Sequence, residues 1–233
     1  MEIRDRPSPN VDARPDTGAV DMLILHYTGM KTAQDALDRL CDPATKVSAH
    51  YLIDEDGTIW RLVDETKRAW HAGVASWRGR NDINAASIGI ELVNPGHEFG
   101  YRPFPEAQMA ALIELARGIL ARHPIPARQV LGHSDVAPLR KQDPGELFDW
   151  ARLGQAGIGL WPDFSQPSPV PTTLEALQEA FATIGYSVPR SGTLDDATTA
   201  VVTAFQRHFR PNQCDGVPDA ETARRAAILA RAV

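Results

Sequence analysis

The stretch VDMLILH, residues 20–26, decides the fold that the sequence predicts. It is short, apolar and rich in branched side chains, and it ends at His26 before the loop signal Thr28-Gly29. This pattern is typical of a buried strand. The stretch SIGIELV at 87–93 has the same character, and a shorter run at 129–131 also leads into a histidine. We therefore expect three strands, two of which end at a histidine.

Helical patterns separate these strands. Residues 33–40 carry apolar side chains at helical spacing behind a capping Thr32, and residues 105–122 form the clearest amphipathic helix. Residues 50–63 predict two strands around the turn DEDG at 54–57, whose glycine can adopt a positive φ. Strands that alternate with helices, together with one hairpin, predict an α/β fold with a mixed central β-sheet flanked by helices.

The composition changes near Trp161. Four prolines within the next ten residues are too many for a helix or a central strand, and they predict a semi-stiff linker. The predicted organisation is an α/β domain over 1–161, a linker over 162–171 and a small helical domain over 172–233. In the last region GTLDDAT at 192–198 is echoed by GVPDAET at 216–222, which predicts two helix starts. The echo marks either a repeated fold unit or capping chemistry alone.

Composition excludes some classes of protein. The formal net charge of -6 argues against nucleic-acid binding, because phosphate contacts depend on clustered Lys and Arg. No run of ~18 apolar residues predicts a membrane span, and the first residues contain charges and prolines instead of the apolar core of a signal peptide. With Met1 as the native start we expect a cytoplasmic protein, or a periplasmic one if a leader has been removed. Cys41 and Cys214 are far apart and predict ordinary thiols.

Two histidines and one aspartate are candidate metal ligands. His26 and His133 each follow a predicted strand, and Asp143 lies in a rigid Asp-Pro-Gly turn ten residues after His133. Catalytic zinc sites use three His or carboxylate ligands and leave a fourth position open. A loop between His133 and Asp143 can fold back so that both face one ion. Each histidine alone is more often structural, but the combination predicts a metal site without specifying the metal or the reaction.

Glu91 is the one charge in a predicted buried strand. It shares a strand face with Gly89 and Val93, away from the aliphatic face. A lone buried carboxylate costs several kcal/mol to desolvate unless it has a partner. The partner of Glu91 is either a metal-bound water, which predicts a catalytic role, or an arginine, which predicts a structural one.

Six short motifs together resemble one family. They occur in family order over about residues 20 to 160, and each alone is a weak signal. The motifs are LHYT (25–28), VSAHY (47–51), AWHAG (69–73), IGIELVN (88–94), GHSDVAP (132–138) and RKQDPG (140–145). They resemble the N-acetylmuramoyl-L-alanine amidases of the type 2 amidase family, particularly the AmiD-like branch, related to AmpD and to peptidoglycan recognition proteins.

The resemblance implies a zinc-dependent enzyme that cuts the amide bond between the lactyl group of N-acetylmuramic acid and L-alanine. It implies that His26, His133 and Asp143 bind the Zn²⁺, that Glu91 is the catalytic carboxylate and that Lys141 is the cation near the developing oxyanion. It also implies that 1–161 is the zinc amidase domain and that 172–233 is a three-helix domain of the peptidoglycan-binding type.

The remaining histidines are harder to assign. Because four histidines would overfill a three-ligand site, we expect His50 and His71 to line the cleft or contact substrate, with a structural role as the alternative. We expect His97, His123 and His208 at the surface, since their neighbours are polar or lie in turns.

The expected substrate follows from the expected location. A cytoplasmic enzyme would meet imported turnover fragments, chiefly 1,6-anhydro-muropeptides, and would act in peptidoglycan recycling. The alternatives are a periplasmic amidase of intact peptidoglycan, a non-catalytic peptidoglycan-binding protein, and a zinc hydrolase of another amide or ester. No obligate protein partner is evident from the sequence.

Overall fold

The computed structural model describes residues 2–15 and 19–233. The strands are β1 (Ile3–Asp5), β2 (Val11–Ala13), β3 (Met22–Tyr27), β4 (Tyr51–Ile53), β5 (Ile59–Arg61), β6 (Lys67–Ala69), β7 (Ser87–Leu92) and β8 (Val130–Gly132). The helices are α1 (Ala33–Cys41), α2 (Ile83–Ala86), α3 (Gly96–Phe99), α4 (Glu106–Arg122), α5 (His133–Val136), α6 (Trp150–Gln155), α7 (Leu174–Ile184), α8 (Asp196–Phe209) and α9 (Ala220–Ala232). None of the described helices combines the length and the apolar character that crossing a bilayer requires.

The main sheet has six strands in the order β1-β5-β4-β7-β3-β8. The β4–β5 hairpin is antiparallel and every other pair in this sheet is parallel, so the predicted mixed sheet is confirmed. A second, two-stranded sheet pairs β2 with β6. The short strands β1, β2 and β6 were not predicted, because three-residue strands with charged side chains show no apolar alternation.

The register of the parallel strands brings their carboxyl ends together. His26 of β3 pairs with Glu91 of β7, and Leu25 pairs with Gly132 of β8 on the other side. His133 follows directly as the first residue of α5. Three candidate site residues therefore lie at one edge of the sheet, as strand exits in an open α/β sheet usually do.

Each face of the sheet is covered by a different layer. On one face, Leu23 and Leu25 of β3 belong to a core cluster with Leu112, Leu115 and Ile119 of α4. On the opposite face, the cluster runs from the sheet without a break into the three carboxyl-terminal helices. Its members include Met22, Ile24, Trp77, Phe181, Val201, Phe205 and Leu229. The helical region thus packs on the sheet as its second layer, and residues 162–171 connect to it without forming a helix or strand.

The sequence echo at 192–198 and 216–222 corresponds to two capped helix starts. Asp195 accepts a hydrogen bond from the Thr198 backbone N–H, and Asp219 accepts one from that of Thr222. These two aspartates are the capping residues directly before α8 and α9.

A buried glutamine on the preceding helix completes each unit. The Gln178 side-chain carbonyl accepts from the Gly192 N–H at 2.8 Å, and its amide donates to Thr198 Oγ1 at 2.9 Å. Gln206 repeats this pattern with Gly216 at 2.8 Å and Thr222 at 3.2 Å. The echo is therefore a duplicated local structure that includes a buried amide, and capping alone does not describe it.

Candidate active site

Three side chains converge at the sheet edge in a compact triangle. His26 Nδ1 lies 3.0 Å from His133 Nδ1 and 2.9 Å from Asp143 Oδ2, and His133 Nδ1 lies 3.0 Å from the same oxygen. All three side chains are buried, and together they can hold a metal ion. Donor atoms this close can all reach one ion at the ~2.0–2.2 Å bond lengths of zinc.

The His133 tautomer is fixed by a backbone carbonyl in the loop that follows β6. His133 Nε2 lies 3.0 Å from the carbonyl oxygen of Ala72, to which it can only donate. In the neutral ring the proton is therefore on Nε2, and the Nδ1 lone pair points into the triangle. Hydrogen bonds of this kind orient metal-binding histidines and raise their basicity.

A longer relay fixes His26. The Ser87 hydroxyl donates to the Ile83 carbonyl at 2.7 Å, so it accepts from His71 Nε2 at 3.1 Å. His71 Nδ1 is then unprotonated and accepts from His26 Nε2 at 3.0 Å. The proton order along the relay leaves the Nδ1 lone pair of His26 free to face the triangle.

The donor set fits a particular class of metal. Two imidazole nitrogens and one carboxylate oxygen suit zinc and its first-row neighbours, whereas calcium and magnesium take oxygen ligands. Burial, followed by the repulsion of His133, lowers the pKa of His26 to about 4. Although burial works in the opposite direction, the two rings hold the pKa of Asp143 below its usual range. At neutral pH the site therefore offers a neutral His26 imidazole and an ionised Asp143 carboxylate, the forms that bind a metal.

Glu91 stands beside this triangle. Its side chain lines the same cleft, and its Oε2 atom is buried without a hydrogen-bond partner among the described residues. Burial and then the charge of Asp143 raise the pKa of Glu91 well above its usual range, while Lys141 opposes the rise. A carboxyl group with a raised pKa holds a proton more readily than an exposed one does, and this property suits a general acid–base group.

The cleft over the triangle has a volume of about 810 Å³. Lys141 lies on its wall, five residues after Val136, where α5 ends. The cleft is lined by both apolar and charged side chains, among them Met30, Lys31, Arg39, Trp70, Phe99 and Arg140. Its volume falls in the range of small-molecule sites, ~300–1,000 Å³.

His50 does not lie on the cleft wall, where the sequence suggested it. It is completely buried, its Nδ1 accepts from the Gly89 N–H at 2.9 Å, and its Nε2 donates to the Lys67 carbonyl at 3.1 Å. The Arg14 guanidinium lies 3.0 Å from the same Nε2. A direct contact with substrate would require this part of the sheet to open, so the structure favours the structural alternative for His50.

His71 lines the cleft but uses both of its ring nitrogens inside the relay. Its ring packs flat against the backbone of Gly89, where an added Cβ atom would lie 2.5 Å from the ring. The glycine in the IGIE motif is therefore needed for space. The geometry gives His71 a place behind His26, and not a free edge that faces a ligand.

The expectation of a surface position for His208 is wrong. Its side chain is buried, and Nδ1 lies 2.7 Å from Asp135 Oδ2. Its flanking residues are polar on one side only, and the partner comes from 73 residues earlier in the chain, so no local pattern could reveal the pair.

Sequence reasoning also missed Arg14 and Ser87. Arg14 donates to the carbonyls of Glu65, Asn84, Ala85 and Ser87, and so ties the amino-terminal segment to the floor of the site. Burial lowers the pKa of Arg14 to about 10. Neither residue belongs to a recognisable metal or catalytic pattern, and only Ser87's place at the start of the IGIE strand was a usable signal.

Two family models match separate parts of the chain. Residues 16–146 match the family model for N-acetylmuramoyl-L-alanine amidase, and residues 172–225 match the model described as "Putative peptidoglycan binding domain". N-acetylmuramoyl-L-alanine amidase AmiD of Escherichia coli is 40% identical over 223 residues, which is 87% of this chain and 79% of AmiD. The 1,6-anhydro-N-acetylmuramyl-L-alanine amidase AmpD of Haemophilus influenzae is 36% identical over 169 residues, 65% of this chain and 90% of AmpD.

Two solved structures resemble the whole chain. E. coli AmiD, in complex with the substrate anhydro-N-acetylmuramic acid-L-Ala-D-gamma-Glu-L-Lys, has a TM-score of 0.81 at 39% identity, covering 97% of this chain and 93% of that one. AmpDH3 from Pseudomonas aeruginosa, in complex with anhydromuramic pentapeptide, has a TM-score of 0.79 at 36% identity, covering 95% and 96%.

Metal binding should stabilise the fold. A ligand that binds only the folded state at ~1,000 times its dissociation constant adds about 4 kcal/mol of unfolding free energy, which in a chain of this size raises Tm by roughly 10 °C. We expect this rise when ZnCl₂ is added to chelator-treated protein and followed by thermal denaturation. The variant His133→Ala should show almost none of it. An unchanged Tm in the unsubstituted protein would contradict a metal site at the triangle.

The unfolding free energy of the metal-free protein should fall with pH below about 6.5. Burial, followed by the charge of Arg14, lowers the pKa of His50 from 6.5 to about 3. Between these two pKa values the unfolded chain binds a proton at His50 and the folded chain does not. The unfolding free energy that His50 contributes above pH 6.5 is therefore lost as pH falls towards 3.

Urea denaturation between pH 7 and pH 4.5 in the presence of EDTA measures this slope. In His50→Gln, whose amide carbonyl can still accept from the Gly89 N–H, the slope should be shallower. Equal slopes in the two proteins would show that His50 does not carry the effect.

Proposed function

The chain belongs to the N-acetylmuramoyl-L-alanine amidase family, and we propose that it hydrolyses the amide bond between the lactyl group and L-alanine in 1,6-anhydro-muropeptides. The observation that carries this proposal is the triangle of His26, His133 and Asp143 with the carboxyl group of Glu91 beside it, whose Oε2 atom has no partner among the described residues. A protein that only bound muropeptides would need neither a complete donor set nor a proton-exchanging group next to it.

We assign His26, His133 and Asp143 as the ligands of a Zn²⁺ ion. A zinc ion bound there supplies a nucleophile at neutral pH and polarises the scissile carbonyl. The chain's own contribution is to fix the donor atoms: the Ala72 carbonyl and the His71–Ser87 relay set both imidazole tautomers before any metal arrives. Preorganisation of this kind leaves little reordering to be done when the metal binds.

Glu91 is assigned as the general base and acid. Its buried oxygen has no competing partner among the described residues, so it is free to accept a proton from the attacking water. The raised pKa then lets the same carboxyl group carry that proton to the departing nitrogen of L-alanine, since a weaker base would lose it to solvent. His26, one of the assigned ligands, pairs with Glu91 across β3 and β7. The carboxyl group therefore belongs to the strand beside the one that carries this ligand.

Lys141 is assigned to the oxyanion. Lys141 lies between His133 and Asp143 in the sequence and lines the cleft, and it makes no ion pair with the described residues that would neutralise it. A cation placed where negative charge develops stabilises the transition state more than the ground state. Of the two remaining histidines, His71 is assigned to orienting His26, and His50 is assigned to the floor beneath the cleft.

The substrate assignment rests on size and kinship. The cleft volume of about 810 Å³ is suited to a muramyl peptide fragment, and the two similar full-length structures hold anhydromuramyl peptides. A role in peptidoglycan recycling follows from such a substrate. The cytoplasmic location that the sequence predicts fits this role, whereas action on intact peptidoglycan in the periplasm is the alternative.

Replacing Glu91 should separate catalysis from metal binding. We expect Glu91→Ala and Glu91→Gln to retain one zinc per chain and to lose kcat by about 10²- to 10⁴-fold, the usual contribution of a general acid–base group. Zinc content is measured by atomic absorption and turnover by release of the stem peptide. The exposed Glu175→Gln serves as the matched control. Near-normal turnover in Glu91→Ala would rule out the assigned role.

The choice of substrate is tested by direct competition. Purified anhydro-muropeptides and intact sacculi are incubated in parallel with the same zinc-loaded protein, and mass spectrometry identifies the products. We expect rapid loss of the stem peptide from the soluble fragments. Rapid cleavage of sacculi with the fragments left intact would overturn the recycling assignment while leaving the amidase chemistry in place.

A further inference from the structure

Side chains from other parts of the chain contact the segment that contains most of the site residues. Residues 132–146, called the ligand loop below, contain His133, Lys141 and Asp143. Within the loop, the Ser134 N–H donates to the Asp143 carbonyl at 2.9 Å. Other internal bonds, from the Ala137 N–H to the His133 carbonyl at 3.0 Å and from the Lys141 N–H to the Ala137 carbonyl at 3.0 Å, shape its turns. Contacts from outside the loop are made at both of its ends.

The amino-terminal end of the ligand loop is bound to the carboxyl-terminal helices through Asp135. This carboxylate is buried, and its Oδ2 accepts from the Gly132 N–H at 2.7 Å and from His208 Nδ1 at 2.7 Å. Its Oδ1 accepts from the Tyr186 hydroxyl at 2.6 Å. Two of its three donors therefore come from the helical region that follows the linker.

His208 is fixed as firmly as its partner. Its ring stacks on that of Trp150 at a centroid distance of 3.7 Å, and on that of Phe209 at 3.8 Å. Stacking on these two rings restricts the direction of the Nδ1–H bond, so His208 donates its hydrogen bond to Asp135 in a fixed direction. A buried carboxylate that loses such a donor is left partly unsatisfied, which is costly in a low-dielectric interior.

The other end of the ligand loop is held by the adjacent residue of α8. The Arg207 guanidinium donates to Gln142 Oε1 at 3.2 Å and lies 3.6 Å from Glu146 Oε2. Gln142 directly precedes Asp143. Arg207 and His208, which are consecutive residues of α8, therefore contact the ligand loop at Gln142 and at Asp135. Gln142 and Asp135 lie one and two residues from the ligands Asp143 and His133.

We propose that α8, together with Tyr186 of the segment between α7 and α8, is a positioning element of the metal site, which it serves by holding the ligand loop at the spacing that the ion requires. The helical region, matched by sequence to peptidoglycan-binding domains, would then have a second task within the amidase. The proposal relies on the ligands assigned above, and it concerns metal affinity, which is measured without turnover.

The test compares zinc affinities of full-length variants by competition with a chromophoric chelator. Tyr186→Phe removes one donor to Asp135 and keeps the ring, His208→Phe keeps the stacking and removes the other donor, and Arg207→Ala frees the far end. We expect about tenfold weaker zinc binding in the first two and a smaller loss in the third, in line with the ~10–100-fold effects of groups that orient ligands.

Two controls separate positioning from general stability. Tyr51→Phe removes another tyrosine–carboxylate bond, the part-buried one to Glu65 at 2.8 Å, and neither partner belongs to the ligand loop. Arg224→Ala removes an arginine of α9 that pairs with Glu221. Both should lower Tm without changing zinc affinity, and circular dichroism of each metal-free variant establishes that it is folded.

The outcomes are distinct. If the unsubstituted protein does not bind zinc, the ligand assignment fails. If it binds zinc, and the folded variants Tyr186→Phe, His208→Phe and Arg207→Ala bind it equally well, the proposed positioning role is refuted. If His208→Phe does not fold, Tyr186→Phe and Arg207→Ala decide the question. Both variants keep the buried His208, and Tyr186→Phe also keeps the buried aromatic ring.

Discussion

The parallel pairing of β3 with β7 and β8 is the constraint on which the rest of the structure depends. A shift of one residue in either pair would turn His26 or Glu91 towards the opposite face of the sheet, because side chains alternate along a strand. The aliphatic side chains on both faces resist such a shift, since it would move them out of two separate cores. The chemistry at the sheet edge is thus specified by packing several residues away from it.

Burial explains why so much of the site is built from hydrogen bonds that never meet a ligand. A neutral imidazole in the interior has one donor and one acceptor, and each needs a defined partner. The chain meets this requirement with Ser87, His71 and the Ala72 carbonyl, so the lone pairs left over are those that face the triangle. Satisfying the interior and preparing the metal site are one and the same arrangement.

The sequence predicted those features that depend on local pattern. The apolar runs predicted the central strands, and the motif order indicated which residues meet at their ends. His208 was placed incorrectly and the role of His50 was left open, because their hydrogen-bond partners, Asp135 and Gly89, are distant in sequence. The echoed Gly-x-x-Asp-x-x-Thr segments predicted helix starts correctly, but the buried glutamines that complete them lie outside the echoed segments. Short edge strands left no signal at all.

The apolar cluster that joins the sheet to α7–α9 has a consequence for how this protein can change over time. Trp77 packs edge-on against Tyr186 across the boundary, and Gly185 leaves room for that ring where a Cβ would lie 2.6 Å away. A helical module from another protein could not replace this one by simple recombination, because it would have to match the shape of the uncovered sheet face. The two halves of the chain are therefore expected to diverge together, with substitutions on one side of the boundary answered by substitutions on the other.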